Sequence, residues 1–143
     1  MTGMQPTIES NIGFLGSHLV AGPTPSAPRE PVRLLSSYCD RCHRSEFPRR
    51  TRCVTCGGMV TDRLLAEECT LVGFTRVIHA SPGALKEPPY HVGLAAFDPD
   101  RITIIGLLEL PGAVEPWFGM SLRTVCVPVA RDVMTYGFTL AVS

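Results

Sequence analysis

Hydrophobic and polar residues alternate in short runs through the second half of the chain, and Gly, Pro and Asp break the runs. Thr70 to His79 reads Thr-Leu-Val-Gly-Phe-Thr-Arg-Val-Ile-His, rich in β-branched and aromatic residues. Val92 to Phe97 follows, then Asp98-Pro-Asp-Arg101, then Ile102 to Leu108. Two apolar runs around a polar, Pro-containing quartet predict a hairpin. Leu122 to Val129 and Tyr136 to Val142 supply two more strand-like runs. Five short strands with glycines at bends suit a small Greek-key barrel of the OB type better than an open sheet. Pro and Gly interrupt most helical windows, so no long helix is expected. The pattern predicts a mostly β chain in three parts: an N-terminal arm or linker over 1–33, a ribbon over 34–63, and a five-stranded OB-type β-barrel over 64–143.

The first part has a different texture. Ala21 to Pro28 is Ala-Gly-Pro-Thr-Pro-Ser-Ala-Pro, a composition that favours extended, loosely packed backbone. Just before it, Ile12 to Val20 is apolar, which is unusual in a solvated tail. That patch fits either a start-site extension or an arm that orders against a partner, where buried apolar area offsets the entropy lost.

Between arm and barrel the cysteines carry the chemistry. Cys39-x-x-Cys42 is followed by ten residues and then Cys53-x-x-Cys56-Gly57-Gly58. Two residues between cysteines let one tight turn aim both sulfurs at a single ion, and two such turns complete a tetrahedral thiolate site. Gly57 and Gly58 can adopt the positive φ that the turn leaving the second pair requires. The expected metal is one zinc per chain, held by Cys39, Cys42, Cys53 and Cys56. Iron in a rubredoxin-type site is the alternative, because four thiolates suit either metal. Four protein ligands leave no position for water or substrate, so the site reads as structural. His43 reads as a surface residue. Cys69 and Cys126 fall outside the pairs and read as small buried hydrophobes within strands.

Charge adds a local feature that the whole chain hides. The formal net charge is +0, which argues against a grip on nucleic acid by the chain as a whole. Yet Arg41, Arg44, Arg49, Arg50 and Arg52 crowd the ribbon, with only Asp40 and Glu46 near them in sequence. Five cations less two anions leave a +3 patch. It is either a solvated surface offsetting the charge of a metal tetrathiolate, or a site for phosphates or a partner's carboxylates. No run approaches the roughly 20 apolar residues that span a bilayer. No basic segment leads into an apolar one at the N-terminus, so a cytoplasmic protein without membrane attachment is expected.

These residues together resemble a known family. Tyr38-Cys-Asp-Arg-Cys-His-Arg-Ser-Glu-Phe-Pro-Arg-Arg-Thr-Arg-Cys-Val-Thr-Cys-Gly57 resembles the rubredoxin-type ribbon of the acyl-CoA-associated zinc-ribbon/OB-fold family. That ribbon runs Cys-x-x-Cys-Gly, Phe-Pro-Pro-Arg, Cys-Pro-x-Cys, and Phe47-Pro48-Arg49-Arg50 is similar to its middle element. Leu71 to His79 resembles the family's strand with a Gly and a terminal His. Pro88-Pro89-Tyr90 resembles the segment that follows, and Gly119 to Val125 a later strand. The resemblance spans about 34–142. It departs at His43, where Gly is usual, and at Val54, where Pro is usual; neither change removes a ligand.

The resemblance implies a small non-catalytic subunit of a thiolase-fold enzyme, with two copies of each subunit. The partner would be a thiolase or aldolase of degradation pathways such as aromatic or steroid, or an acyltransferase. The ribbon and barrel would hold the assembly together and shape its site for coenzyme A or acyl-CoA. Phe47, Pro48, Arg49, Arg50, His79, Pro88, Pro89 and Tyr90 are the implied coenzyme A or partner contacts. The chain's own residues offer no independent enzyme: no Ser or Cys beside His79 or His91 forms a nucleophile motif. The rival reading is a single-stranded nucleic-acid-binding ribbon/OB protein. Against it, the basic residues of the barrel half are scattered and aromatic residues make up only 7%.

Overall fold

The structure, a computed structural model, describes residues 13–84 and 86–141. Ile12 and Val142, each at the edge of an expected segment, lie outside the described residues, as does Leu85 in the Pro-rich loop. The described residues hold eight strands: β1 (Leu35–Cys39), β2 (Arg44–Glu46), β3 (Thr61–Leu64), β4 (Glu68–Val77), β5 (Tyr90–Phe97), β6 (Ile102–Leu108), β7 (Ser121–Ala130) and β8 (Val133–Leu140). Among the described residues the only helical elements are two short 3-10 turns, Ser17–Leu19 and Asp98–Asp100.

The cysteine-rich segment forms a three-stranded antiparallel sheet in the order β2-β1-β3. The rest closes into a five-stranded barrel ordered β4-β5-β6-β8-β7. Every neighbour pair is antiparallel except β6 with β8, where Leu107 and Leu108 run parallel to Gly137 and Phe138. Three consecutive antiparallel strands, a parallel step to the last strand, and a fourth strand returning to the first make this an OB-type barrel, the mostly β architecture that the strand pattern predicts.

Alternation decides which side chains fill the barrel. On β5, Ala95 and Phe97 point inward; on β6, Ile102, Ile104 and Leu108 do so. They meet Leu71 from β4, Leu122 from β7 and Phe138 from β8, all fully buried. Phe138 needs room, and Gly106 supplies it: a Cβ there would lie 2.7 Å from the Phe138 ring.

The same core cluster includes Leu34 and Leu65, which flank the ribbon, and Phe14 and Val20 from the N-terminal segment. That segment orders against the chain's own barrel. Phe14 bridges to Met134, Pro31 bridges to Val125, and Val20 bridges to Leu34. Backbone bonds reinforce the contact, from Leu15 N–H to the Met134 carbonyl at 2.6 Å and from Arg29 N–H to the Cys126 carbonyl at 2.8 Å. Within the apolar patch from Gly13 to Val20, Phe14 and Val20 are therefore buried by the chain itself, whereas Leu15 stays exposed.

Candidate metal centre and the ribbon–barrel junction

Two knuckles, one at the β1–β2 turn and one between 53 and 58, bring the four paired cysteines together. Their ligand atoms all lie within 4.8 Å of one another. Cys39 Sγ is 3.7 Å from Cys56 Sγ, and Cys53 Sγ is 3.8 Å from Cys42 Sγ. A zinc–sulfur bond of about 2.3 Å puts the corners of a regular tetrahedron about 3.8 Å apart. The cluster thus has the spacing of a tetrathiolate metal site. Backbone amides complete it: Cys42 N–H points to Cys39 Sγ, Thr55 N–H to Cys53 Sγ and Gly58 N–H to Cys56 Sγ, each at 3.4 Å. Such donors stabilise negative sulfur.

The crowding of the four sulfurs shows in the thiols' acidities. Cys42 is pushed up to about 12, chiefly by its hydrogen bond with Cys56. Cys53 is drawn down to about 6 by the backbone N–H groups of Cys56 and Thr55. Binding a metal would require all four to be deprotonated.

Both knuckles need a left-handed residue after the second cysteine. Gly57 has φ +73°, and its N–H bonds to the Cys53 carbonyl at 2.8 Å. At the equivalent place in the first knuckle His43 carries φ +54°. A side chain there is strained where glycine would not be. The Tyr38 hydroxyl lies 3.3 Å from His43 Nδ1 and partly compensates.

The arginines are less free than their sequence spacing implies. Arg44 donates to Thr55 Oγ1 at 3.1 Å, tying one knuckle to the other. Arg49 pairs with Asp62 at 2.8 Å and donates to the His18 carbonyl at 3.2 Å. Arg50 reaches Glu46 at 3.5 Å, and its backbone N–H donates to Ser37 Oγ at 2.7 Å. Asp62, returned to the patch by β3, answers Arg49, while its neighbour Arg63 adds a further cation.

A second remote acid joins the two modules. Asp100, in the β5–β6 turn of the barrel, has a carboxylate only 5% exposed. Its Oδ1 accepts from Arg63 Nε of β3 at 2.8 Å and from Ser45 Oγ of β2 at 3.0 Å. The Arg63 guanidinium also lies 4.3 Å from the centre of the Tyr38 ring. A chain of contacts therefore runs from the first knuckle through His43, Tyr38 and Arg63 into the barrel. No short-range sequence signal marks Asp100.

The residues implied as coenzyme A or partner contacts fall into two groups. Phe47 is half-buried at the junction, edge-on to Tyr136 with ring centres 6.3 Å apart. It lines an open depression of about 280 Å³ together with Arg50, Val54 and Thr103. Pro48 and Arg49 are exposed beside it. Pro89 and Tyr90 border another depression, of about 290 Å³, with Lys86 and His91. Pro88 adjoins them in the loop. His91 is paired with Arg76 inside the ladder, whereas His79 lies two residues past the end of β4 and is exposed. Neither histidine has Cys69 or Cys126 among its hydrogen-bond partners. Cys69 donates to the Leu122 carbonyl, and burial pushes its thiol up to about 12. Cys126 is also raised by burial and sits against the Met134 sulfur at 3.4 Å. No helix among the described residues is long and apolar enough to cross a membrane.

No protein-family model and no curated protein matches the chain. Solved structures do. A chain of the Ltp2–ChsH2(DUF35) aldolase superposes with a TM-score of 0.62 at 20% identity, covering 77% of this chain and 86% of that one. A DUF35-family protein of unknown function from Sulfolobus solfataricus gives a TM-score of 0.50 at 16% identity, covering 76% of each chain. The chain, with its four-cysteine ribbon and five-stranded barrel, shares the fold of these DUF35 proteins, as the resemblance read from its sequence implies.

Proposed function

We propose that this chain is a non-catalytic, zinc-binding accessory subunit of a thiolase-like acyl-CoA enzyme. The observation that carries the reading is the shared fold, because a chain with this fold belongs to the Ltp2–ChsH2(DUF35) aldolase. The site chemistry agrees. The four-cysteine cluster offers four ligands to one ion and leaves none of its positions open, which suits a structural zinc that cross-links the knuckles. The two remaining cysteines are buried and raised, the opposite of what an acyl-accepting thiolate requires.

The partner is a thiolase or aldolase of degradation pathways, or an acyltransferase, with two copies of each subunit in the cytoplasmic complex. Its coenzyme A or acyl-CoA site borrows the junction depression, where Phe47 gives an apolar wall and Arg50 a guanidinium for phosphate. Arg50 is the better placed of the pair, because it lines the depression and its contact with Glu46, at 3.5 Å, is looser than the 2.8 Å Arg49–Asp62 pair. The loop holding His79, Pro88, Pro89 and Tyr90 contacts the partner.

The test is acyl-CoA turnover by three samples: this chain alone, a candidate thiolase-like protein from the same genome alone, and the two together. The reading expects turnover from the pair and none from this chain. Turnover by this chain alone refutes the accessory role, and a partner indifferent to this chain refutes the assembly.

A further inference from the structure

The stretch of chain that the four sulfurs close into a ring also carries one wall of the junction depression. Ser45, Glu46, Phe47 and Arg50 lie in the ten-residue spacer between Cys42 and Cys53, and Val54 lies between Cys53 and Cys56. The facing wall is barrel: Ile102 and Thr103, at the start of β6. The depression of about 280 Å³ is thus formed where the closed spacer meets the barrel.

The spacer is tied to its surroundings at three places. Ser45 Oγ donates to Asp100 at 3.0 Å, and the Phe47 ring stands edge-on to Tyr136 of β8. Ser37 of β1, two residues before Cys39, holds the Arg50 backbone: its hydroxyl accepts from Arg50 N–H at 2.7 Å and donates to the Arg50 carbonyl at 3.1 Å. The second knuckle is tied less. Its backbone bonds close on itself, from Gly57 N–H to the Cys53 carbonyl and from Cys53 N–H to the Gly58 carbonyl. Besides the sulfurs, an exposed hydrogen bond from Arg44 to Thr55 Oγ1 at 3.1 Å joins it to the first knuckle. Water competes for both groups of such a bond, so it contributes little. The placing of Val54 and the closure of the spacer therefore depend on the metal, whose binding to such ligands is itself folding free energy. The barrel has a core of its own, with Leu71, Phe97, Leu122 and Phe138 fully buried on four of its strands.

We infer that the metal centre gates the junction depression: metal binding sets the spacer and knuckle that wall it, and a phosphate-bearing acyl thioester held there raises the chain's affinity for the metal in return. The inference rests on the reading that acyl-CoA occupies this depression and adds its regulation. Phe47 and Val54 offer the ligand apolar contact, and Arg50, with its side chain 59% exposed, offers a guanidinium for phosphate. A chain short of metal loses these three groups from the site while its barrel stays folded. Binding linkage is reciprocal, so a ligand that needs the metal-set wall must also hold the metal.

The test uses the zinc-loaded full chain and acetyl-CoA, whose capped thiol cannot itself take the metal. Competition with a chelator measures zinc affinity with and without the thioester. At about ten times the Kd of acetyl-CoA, the expected gain in zinc affinity is about tenfold. The metal-free chain is expected not to bind acetyl-CoA while keeping amide protection over β4 to β8. R50A should match the wild type's zinc affinity without acetyl-CoA and lose the gain; R41A, a ribbon arginine outside the depression, should keep both. Acetyl-CoA bound alike by metal-free and zinc-loaded chain, or a zinc affinity that it leaves unchanged, overturns the gating and leaves the accessory-subunit reading standing. So does a gain that R50A retains. Loss of protection over β4 to β8 along with the metal also overturns it, because binding is then lost by global unfolding. Zinc-loaded chain that binds no acetyl-CoA overturns the gating together with the placing of acyl-CoA in this depression; whether the chain completes the enzyme is read separately, from turnover by the pair.

Discussion

Replacing Asp100 with Ala removes the acceptor that holds two ribbon strands to the barrel. One carboxylate oxygen takes both Arg63 Nε at 2.8 Å and Ser45 Oγ at 3.0 Å. Hydrogen bonds to a charged group contribute about 1.5–3 kcal/mol each in partly buried settings. The lower end applies here, because the Arg63 side chain is 43% exposed and regains water once released. Its stacking on Tyr38 also survives the change. The loss is therefore about 2 kcal/mol, below the 3–5 kcal/mol for breaking a fully buried pair. For a chain of this size that lowers Tm by about 4–8 °C. Calorimetry of zinc-loaded protein measures it, and a double-mutant cycle with R63A isolates the pair at about 1 kcal/mol of coupling. A loss under about 0.5 kcal/mol, or additive single variants, would refute the latch.

Three further outcomes are expected. C53S should release the metal and unfold the ribbon, read by elemental analysis and loss of amide protection over β1 to β3; an intact metal-free ribbon contradicts the site. H43G should raise stability by about 0.5–1 kcal/mol, because glycine relieves the φ of +54° while losing only the Tyr38 contact; a lower denaturant midpoint contradicts the strain argument. R50A with R49A should raise the assembled enzyme's KM for acyl-CoA several-fold with zinc retained. Dissociation of the complex would mean instead that these arginines hold the partner, and an unchanged KM would leave them a solvated surface.

The parts of the fold legible in the sequence are those set by local rules. Cysteine spacing places the metal ligands, because the knuckle is a contiguous turn. β-Branched runs and the Asp-Pro-Asp-Arg quartet place β4 to β7 to within a few residues. β8 begins at Val133, ahead of the expected Tyr136, because Val133 pairs with Ala130 across a tight turn whose Asp132 has φ +62°. β3 escapes notice because all four of its residues are exposed and carry no alternation. What sequence order hides is contact at long range. Phe14 reaches Met134, and Asp62 and Asp100 reach arginines on neighbouring elements, through pairings that only the closed barrel and the folded ribbon create. Counted in space, with Arg63, Asp62 and Asp100 added, the patch stands at +2 rather than +3, and two of its basic residues, Arg49 and Arg63, are paired with the added acids.

Native mass spectrometry of the chain co-expressed with a candidate thiolase-like protein from the same genome tests the central claim most directly. The expected species contains two copies of each subunit and one zinc per copy of this chain. A chain that is recovered only by itself, zinc-loaded and folded while the thiolase-like protein assembles without it, would contradict the accessory-subunit reading.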